Sequence, residues 1–267
     1  MDRVEVTPGD SPVILGMPHT GTYIPEDIRD NTLPEAQTPS DTDWYAHKPN
    51  QRLLPGATMV RATFHRYVVD ANRDPSRCSL YLGQNTTGLV PLTNCDGSPL
   101  WNLDPTEAEI AARRDTHHAR YHAALPAEIA RIKAMHATAI LYDCHSIRSL
   151  IPHLFEGRLP NFNTGTNNWR SCAKAFAAAV QRIGCATTKY TKLLNGRFKR
   201  GWSTWHYDLS GGGVHAIQIE LAQATHLKKI EGPLFDFDPV KALPLQDMLG
   251  RILRTLETLA LTSRRGA

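Results

Sequence analysis

The 267-residue sequence contains no apolar run long enough to span a bilayer, which argues against an integral membrane protein. Its N-terminus also lacks the basic flank and apolar stretch of a signal peptide, because Asp2 and Glu5 place acids there. Hydrophobic residues make up 41% of the chain and charged residues 21%, which is ordinary for a soluble globule. We therefore expect a cytoplasmic protein with no membrane partner.

Cysteine pairs and blocks of basic charge are also missing. The five cysteines are odd in number and form no Cys-x-x-Cys pair, so neither a disulfide framework nor a thiolate zinc ribbon is indicated. The formal net charge of +4 is spread along the chain, apart from the short runs 197–200 and 264–265. Because binding along phosphates needs a clustered basic face, we expect no nucleic-acid partner. There is no glycine-rich phosphate loop, and Ser146 lacks the glycines of a Gly-x-Ser-x-Gly elbow.

Apolar runs that alternate with longer segments predict an α/β fold. Four runs are typical of strands: Val13–Met17, Thr58–Ala62, Thr138–Tyr142 and Val214–Leu221. The segments between them are long enough for crossover helices, which predicts a parallel or mixed sheet with helices on its faces. Since the chain shows no repeat and no break in composition, we expect residues 1–267 to form a single domain.

The clearest helix signal follows a proline. Asp104 is predicted to cap a helix that starts at Pro105, and Glu107 would complete a capping box. We expect this helix to run to about Leu125, where Pro126 breaks or restarts it.

Two more helices and two long loops are predicted farther along. The helices cover Ser171–Ile183, ending at Gly184, and the tail Leu245–Leu261. The segments 82–100 and 190–213 lack periodicity, and loops of that length in one domain are usually functional. The second loop is a candidate lid over a substrate.

Two histidines follow predicted strands that lie far apart in the sequence. His19 comes just after Val13–Met17, and His145 follows Thr138–Tyr142 with Asp143 two residues before it. Side chains at the carboxyl ends of strands in an open α/β sheet meet at its binding edge, so both histidines predict one metal site. For His19 the alternative is a turn histidine that only forms hydrogen bonds. For His145, Asp143 is placed to orient a ligand imidazole.

Carboxylates are available to complete such a site. Asp41 and Asp43 precede a predicted helix, where capping is the competing explanation. Two histidines and a carboxylate are a standard ligand set for a hydrolytic zinc ion. Glu220 shares one face of its strand with Gln218, which makes it a candidate general base or, alternatively, a solvent-facing glutamate.

Arginines are concentrated around a third short apolar run. The segment 66–74 carries two arginines, Arg66 and Arg73, together with Asn72 and two acids, Asp70 and Asp74, around a short β-branched run. A guanidinium group is suited to carboxylates, so a small anionic substrate is one interpretation, and salt bridging of Arg73 to Asp70 or Asp74 is the other.

Four other histidines are candidates for metal binding or for lining the pocket. His118 and His122 are one helical turn apart, which is ligand spacing but is more typical of a solvated face. His206 and His215 flank a glycine stretch and are candidates to line the pocket.

Taken together, these motifs resemble the N-formylglutamate amidohydrolase family, also called N-formylglutamate deformylase. The resemblance extends from about Pro12 to Gln223 and keeps the family order. The segments that carry it are Met17-Pro18-His19-Thr20-Gly21, Asp41-Thr42-Asp43-Trp44, Arg66-Tyr67-Val68-Val69-Asp70-Ala71-Asn72-Arg73, Gly83-Gln84-Asn85-Thr86-Thr87-Gly88-Leu89, Asp143-Cys144-His145-Ser146-Ile147-Arg148-Ser149, Leu194-Asn195-Gly196-Arg197-Phe198-Lys199 and Gln218-Ile219-Glu220-Leu221-Ala222-Gln223.

This resemblance implies a fold and a reaction. The fold would be a three-layer α/β/α sandwich around a mixed, mostly parallel sheet, phosphorylase/hydrolase-like and related to zinc carboxypeptidases and aspartoacylase. The reaction would be metal-dependent hydrolysis of N-formyl-L-glutamate to formate and L-glutamate, a last step of one histidine-degradation route. The partner is then a small anionic N-acyl amino acid, and the sequence carries no signal for an oligomeric state.

The resemblance also implies residue roles. His19, Asp43 and His145 would hold zinc or another divalent ion, with Asp43 preferred over Asp41, and iron, cobalt or manganese suit the same ligands. The metal would lower the pKa of its bound water, and Glu220 would take the proton and pass it to the leaving nitrogen. The residues implied in substrate binding are Arg66, Asn72, Arg73, Arg148, Arg197 and His206.

Some positions depart from the family pattern. Trp205 stands where family sequences have an arginine, Ala71 replaces a leucine, and Trp169 replaces a small glycine. These changes leave open a deacylase for another N-acyl or N-formimino amino acid. A non-catalytic protein that binds a carboxylate through Arg73 is a further alternative. The presence of His19, His145 and Glu220 argues against it, because a pure binding protein does not need a set of residues that activates water.

Overall fold

One mixed sheet of seven strands forms the centre of the computed structural model, which describes residues 2–50, 53–79, 85–208, 210–228 and 236–262. The strands are β1 (Val4–Thr7), β2 (Val13–Met17), β3 (Thr58–Ala62), β4 (Ala139–Ile147), β5 (Phe162–Gly165), β6 (Lys192–Leu194) and β7 (Val214–Ala222). Their order is β1-β3-β2-β4-β7-β5-β6. The pairs β1–β3 and β7–β5 are antiparallel and the other four pairs are parallel, which confirms the predicted mixed α/β fold.

The predicted strands are present, two of them longer than expected. Val13–Met17 and Thr58–Ala62 have the predicted bounds. The predicted run Thr138–Tyr142 is β4 and continues to Ile147, so His145 lies within the strand and not in a loop after it. The extension follows from pairing, because residues of β4 up to Ile147 are bonded to β7.

Seven helices are assigned within the described residues. They are α1 (Glu26–Arg29), α2 (His47–Asn50), α3 (Glu107–Arg113), α4 (Ala119–His136), α5 (Lys174–Cys185), α6 (Trp202–His206) and α7 (Pro239–Thr262), and a π-helical turn at Arg114–His118 joins α3 to α4. None of them combines the length and the apolar character needed to cross a membrane.

The predicted capping of the first long helix was wrong by two residues. Thr106, not Asp104, is the N-cap, and its hydroxyl accepts from the backbone N–H of Glu109 at 3.3 Å. Glu109, not Glu107, completes the capping box by accepting from the backbone N–H of Thr106 at 2.7 Å.

The predicted ends of the helices were also wrong in detail. Pro126 lies inside α4, which continues to His136 because Leu125 and Ile129 on either side of the proline are buried in the core. Their packing offsets the one backbone hydrogen bond that the proline removes. In the same way α5 includes Gly184, and α7 begins at Pro239, earlier than predicted.

Helices cover both faces of the sheet, and two apolar cores separate them from it. On one face α4 packs through Tyr121 and Leu125 against sheet residues that include Ile14 and Leu141. On the other face α5 and α7 pack against the alternate residues of the same strands, such as Ile140. Because both faces are buried, the central strands β2, β4 and β7 are largely apolar up to their carboxyl ends, with His215 at the start of β7 as an exception. Those ends therefore hold the polar side chains of interest.

Candidate active site

Three neighbouring parallel strands bring polar side chains to one edge of the sheet. His19 follows β2 after one intervening residue, His145 lies near the end of β4, and Glu220 lies near the end of β7. His145 and Glu220 are directly paired in register, so their side chains project from the same face of the sheet. The topology thus brings together three residues that are more than 70 positions apart in the sequence.

Asp43 joins the two histidines in a buried group. Donor atoms of His19, Asp43 and His145 all lie within 4.8 Å of one another. Asp43 Oδ2 is 2.9 Å from His145 Nδ1 and 3.8 Å from His19 Nδ1. Asp41 points elsewhere, because its Oδ2 accepts from the backbone N–H of Cys95 at 2.8 Å. The structure therefore groups Asp43, and not Asp41, with the histidines.

The second nitrogen of each imidazole faces a carboxylate. His19 Nε2 is 2.6 Å from Asp70 Oδ1, and His145 Nε2 is 3.2 Å from Asp143 Oδ2. Metal-ligating histidines almost always donate their other ring N–H to such a partner, which fixes the tautomer and the ring orientation. His19 fits this pattern, whereas His145 Nε2 faces both a carboxylate and an amide nitrogen, because Asn72 Nδ2 lies 3.0 Å from it. The two Nδ1 atoms are left on the side of Asp43. This donor set fits a divalent cation.

The two imidazoles have opposite electrostatic environments. Burial and the neighbouring Arg66 guanidinium lower the pKa of His19, so its ring is neutral as a ligand must be. Burial also opposes the charged form of His145, but the carboxylates of Asp143 and Asp43 outweigh it and raise the pKa of His145 well above its usual value. The site therefore attracts positive charge beside Asp43, whether from a proton or from a cation.

Glu220 is a buried carboxyl beside this group. Burial raises the pKa of Glu220 from 4.5 to about 8, and the carboxylate of Asp43 adds to the effect while His145 opposes it. Its Oε2 is 3.4 Å from Gln218 Nε2, an amide on the same strand face. A carboxyl whose pKa lies this close to neutral can both accept and return a proton.

Asp70 links the histidine group to the arginines. It is fully buried, and its Oδ2 accepts from Arg66 Nη2 at 2.6 Å, whereas Arg73 Nη1 is 3.7 Å away. Burial disfavours its charge, but the Arg66 guanidinium outweighs this cost and holds the pKa of Asp70 well below its usual range. The expected ion pair of Arg73 is thus secondary to that of Arg66. Sequence reasoning missed the contact of Asp70 with His19, which connects segments 51 residues apart.

A cavity opens in front of Glu220 and the histidines. It is lined by His19, Asp43, Arg66, Asn72, Arg73, Asn85, Thr86, Thr87, Cys95, His145, Ile147, Leu154, Arg197, Phe198, Arg200, Gly201, Gln218 and Glu220. Four of the predicted substrate-binding residues are in this set: Arg66, Asn72, Arg73 and Arg197. Arg200, in the basic run 197–200, also lines the cavity and was not among the predicted substrate-binding residues.

Two other predicted residues lie outside the lining of this cavity. Arg148 donates to Asp96 at 2.7 Å and is 3.9 Å from Asp41. His206 stacks on Trp202 with ring centroids 4.1 Å apart.

The loop around Thr87 holds the lining arginines in place. Arg73 donates through Nε to the Thr87 carbonyl at 2.8 Å and through Nη2 to the Thr87 hydroxyl at 3.0 Å. Arg197 Nη2 donates to the Asn85 carbonyl at 2.7 Å. The family-like segment 83–89 therefore contributes to the cavity from Asn85 onward, and its residues 83 and 84 lie outside the described residues.

Neither of the unusual tryptophans lines the cavity. Trp205 is 45% exposed and its ring lies 5.8 Å from the guanidinium carbon of Arg200. Trp169 is 48% exposed and has a φ of 68°, in a left-handed stretch that starts at Asn167. Trp205 therefore lies beside one lining residue, Arg200, without lining the cavity itself.

Comparisons with known proteins identify the family of the chain. The family model described as N-formylglutamate amidohydrolase matches residues 11–227. The chain belongs to this family. An N-formylglutamate deformylase from Pseudomonas putida is 39% identical over 263 residues, covering 96% of both chains. Another from Pseudomonas aeruginosa is 42% identical over 226 residues, covering 82% of this chain and 83% of the relative.

Solved structures show the same fold at lower identity. The crystal structure of an N-formylglutamate amidohydrolase from Ralstonia eutropha JMP134 has a TM-score of 0.80 at 21% identity and covers the whole of both chains. A protein from Agrobacterium tumefaciens has a TM-score of 0.72 at 19% identity and covers 99% of this chain. Membership of the family thus rests on sequence, and these structures support the fold.

Proposed function

We propose that this family member is a metal-dependent amidohydrolase that hydrolyses N-formyl-L-glutamate to formate and L-glutamate, as a last step of histidine degradation. The observation that carries the proposal is the pairing of Glu220 with His145, which places a proton acceptor beside three candidate metal ligands. The deformylases that share about two fifths of its sequence support the choice of substrate. Residues 1–267 would act as one cytoplasmic catalytic domain, related in fold to zinc carboxypeptidases and aspartoacylase.

His19, Asp43 and His145 would hold zinc or another divalent ion. Such an ion, when bound, acidifies water and polarises a carbonyl oxygen. Asp70 and Asp143 orient the two imidazoles through their Nε2 atoms. Both carboxylates are fully buried, so the ligand rings are held by groups that solvent does not reach.

Glu220 would act as the general base. Its carboxylate accepts a proton from the attacking water and later delivers it to the nitrogen that leaves as the amine of glutamate. The raised pKa of about 8 means that the carboxyl returns the proton readily. A positive charge at the ligand group would lower this pKa and keep Glu220 ionised at the start of the reaction.

The lining arginines would bind the two carboxylates of the substrate. Arg66 forms its ion pair with Asp70, and Arg73, Arg197 and Arg200 bring three further positive charges to the cavity lining, which suits a dianion. Asn72 lies between these arginines and His145, with its Nδ2 3.0 Å from His145 Nε2. We leave Arg148 and His206 out of this site because neither lines the cavity.

Formate release from N-formyl-L-glutamate by the purified protein tests the proposal. Activity should disappear on treatment with a chelator and return when zinc is added. A panel with N-formimino-L-glutamate, N-acetyl-L-glutamate and N-formyl-L-aspartate separates related deacylases from a formylglutamate enzyme. Binding of L-glutamate without turnover of any panel member, in a metal-loaded sample, would contradict the proposal and favour a carboxylate-binding protein.

A further inference from the structure

Two histidines, one at the end of the π-helical turn and one in α4, lie against the backbone that carries Asn72. His118 Nε2 is 2.9 Å from the carbonyl oxygen of Arg73, and His122 Nε2 is 2.7 Å from that of Ala71. The two contacts therefore lie on either side of Asn72. His118 is buried and His122 is partly buried, so the expectation of a solvated helix face was wrong.

Hydrogen-bond chemistry fixes the tautomer of both rings. A carbonyl oxygen only accepts, so Nε2 of each histidine must carry the hydrogen. In a neutral His122 the other nitrogen then accepts, and the Tyr207 hydroxyl, 2.6 Å from Nδ1, is its donor. Burial lowers the pKa of both His118 and His122, which keeps them neutral.

A local departure from α-helical geometry orients these side chains. The π-helical turn at Arg114–His118 inserts an extra residue between α3 and α4. As a result two successive histidines are both buried but face different partners. His117 accepts from Arg3 Nε at 3.3 Å and packs edge-on against Phe64, whereas His118 faces the 71–73 backbone.

The opposite side of Asn72 is held by α6. The backbone N–H of Ser203 donates to Asn72 Oδ1 at 2.9 Å. Gly201 allows this approach, since a Cβ there would lie 2.1 Å from Asn72 Nδ2. Trp202 of the same helix packs against His122 with ring centroids 4.4 Å apart. The segment 71–73 is thus clamped between the histidine pair and α6.

We propose that His118 and His122 are positioning residues that hold Asn72 against His145 and Arg73 against the substrate. This inference rests on the proposed function. The rings of His118 and His122 contact protein groups, and neither ring lines the cavity. They act through the Ala71 and Arg73 carbonyls, and they take no part in proton transfer or metal binding.

Kinetics of matched variants test the proposal. We expect His118→Ala and His122→Ala to raise KM for N-formyl-L-glutamate about tenfold or more, with a smaller change in kcat and an unchanged metal content. His118→Gln should recover most of the KM, because its amide nitrogen can reach the Nε2 position. His117→Ala is the control: it removes a buried histidine from the same turn and should lower stability without changing KM.

Two results would overturn the proposal. One is a wild-type KM in metal-loaded His118→Ala and His122→Ala. The other is an equal rise of KM in His117→Ala, which would indicate a general effect on the fold.

A measurement without turnover separates this proposal from the proposed function. Long-range proton–nitrogen NMR correlation on the wild type should show the Nε2–H tautomer for His118 and His122, and an Nδ1–H tautomer would contradict the inference. Hydrogen exchange at the amides of Asn72 and Arg73 should become faster in the His118 and His122 variants but not in His117→Ala. Both readouts remain valid if N-formyl-L-glutamate proves not to be the substrate, and unchanged exchange in all three variants would refute the positioning role.

Discussion

Replacement of Glu220 by glutamine tests the proposed chemistry most directly. Glutamine has nearly the same size and can still contact Gln218, but it cannot accept a proton. General-base catalysis contributes about 10²- to 10⁴-fold to a rate, equivalent to about 3–5 kcal/mol of barrier. We therefore expect kcat of Glu220→Gln to fall by that factor, while metal content and L-glutamate affinity stay close to wild type.

The pH dependence of the wild type should carry the same signature. In the proposed mechanism the ionised form of Glu220 is the active one, so kcat/KM should rise with pH through the apparent pKa of this carboxyl. The value of about 8 belongs to the protein without a cation, and a bound divalent ion should shift the rise to lower pH. In Glu220→Gln this limb of the profile should be missing.

Stability gives an independent check on the same carboxyl. Folding raises the pKa of Glu220 from 4.5 to about 8, so the unfolded state releases this proton first. Its contribution to stability is therefore lost as pH rises from about 4.5 to 8 in the metal-free protein. Metal-free Glu220→Gln should be at least as stable as metal-free wild type at pH 8, as measured by urea unfolding.

Controls make the result decisive. Glu257→Gln, on α7 away from the cavity, should leave kcat unchanged. Glu220→Asp keeps the charge but withdraws it by one methylene group, so its kcat should lie between wild type and Glu220→Gln. A kcat for metal-loaded Glu220→Gln within tenfold of wild type would refute the assignment of Glu220 as the base.

Three further perturbations follow from the geometry. Asp70→Asn removes the buried charge that contacts a ligand imidazole and a guanidinium group, so metal affinity in chelator competition should fall about 10- to 100-fold; unchanged affinity would contradict the orienting role. Gly201→Ala places a Cβ where the side chain of Asn72 lies, so KM should rise, whereas Gly211→Ala, whose Cβ meets nothing within 4 Å, should match wild type. Burial lowers the pKa of His226 from 6.5 to about 4, so the unfolded state binds the proton first and stability is lost as pH falls from 6.5 to 4, by about 3 kcal/mol at most. His226→Asn should remove about one proton from this dependence in urea unfolding, and an unaltered slope would show that the ring is not buried in neutral form.

Local signals in the sequence were sufficient to predict the edge of the sheet where the site lies. Apolar runs of four or five residues that end in His19 or Asp143 are recognisable without a structure, because buried parallel strands are apolar until they reach their carboxyl ends. The alternation of polar and apolar residues around Glu220 likewise predicted that Gln218 shares its face of the strand. These inferences needed only strand periodicity and the chemistry of single side chains.

Contacts between distant segments were beyond such signals. The hydrogen bond from His19 to Asp70 joins two turns whose separation in space depends on how β2 and β3 pair, and nothing local to Asp70 indicates it. The continuation of α4 through Pro126 has a similar cause. The local rule for proline predicts that the helix breaks at Pro126, but burial of the flanking side chains outweighs the loss of one hydrogen bond.

The arrangement of charge in the cavity suits the proposed binding of a cation together with a dianion. Asp43 and Glu220 are the acids among its lining residues, and both lie at the histidine end. Arg73 and Arg197 donate to backbone carbonyls of the loop around Thr87, which fixes the position of their positive charge at the cavity lining. Asp70 connects the two ends, because one of its oxygens accepts from Arg66 and the other lies 2.6 Å from His19 Nε2. We therefore expect a dianionic N-acyl amino acid to place its carboxylates toward the arginines and its amide toward Glu220.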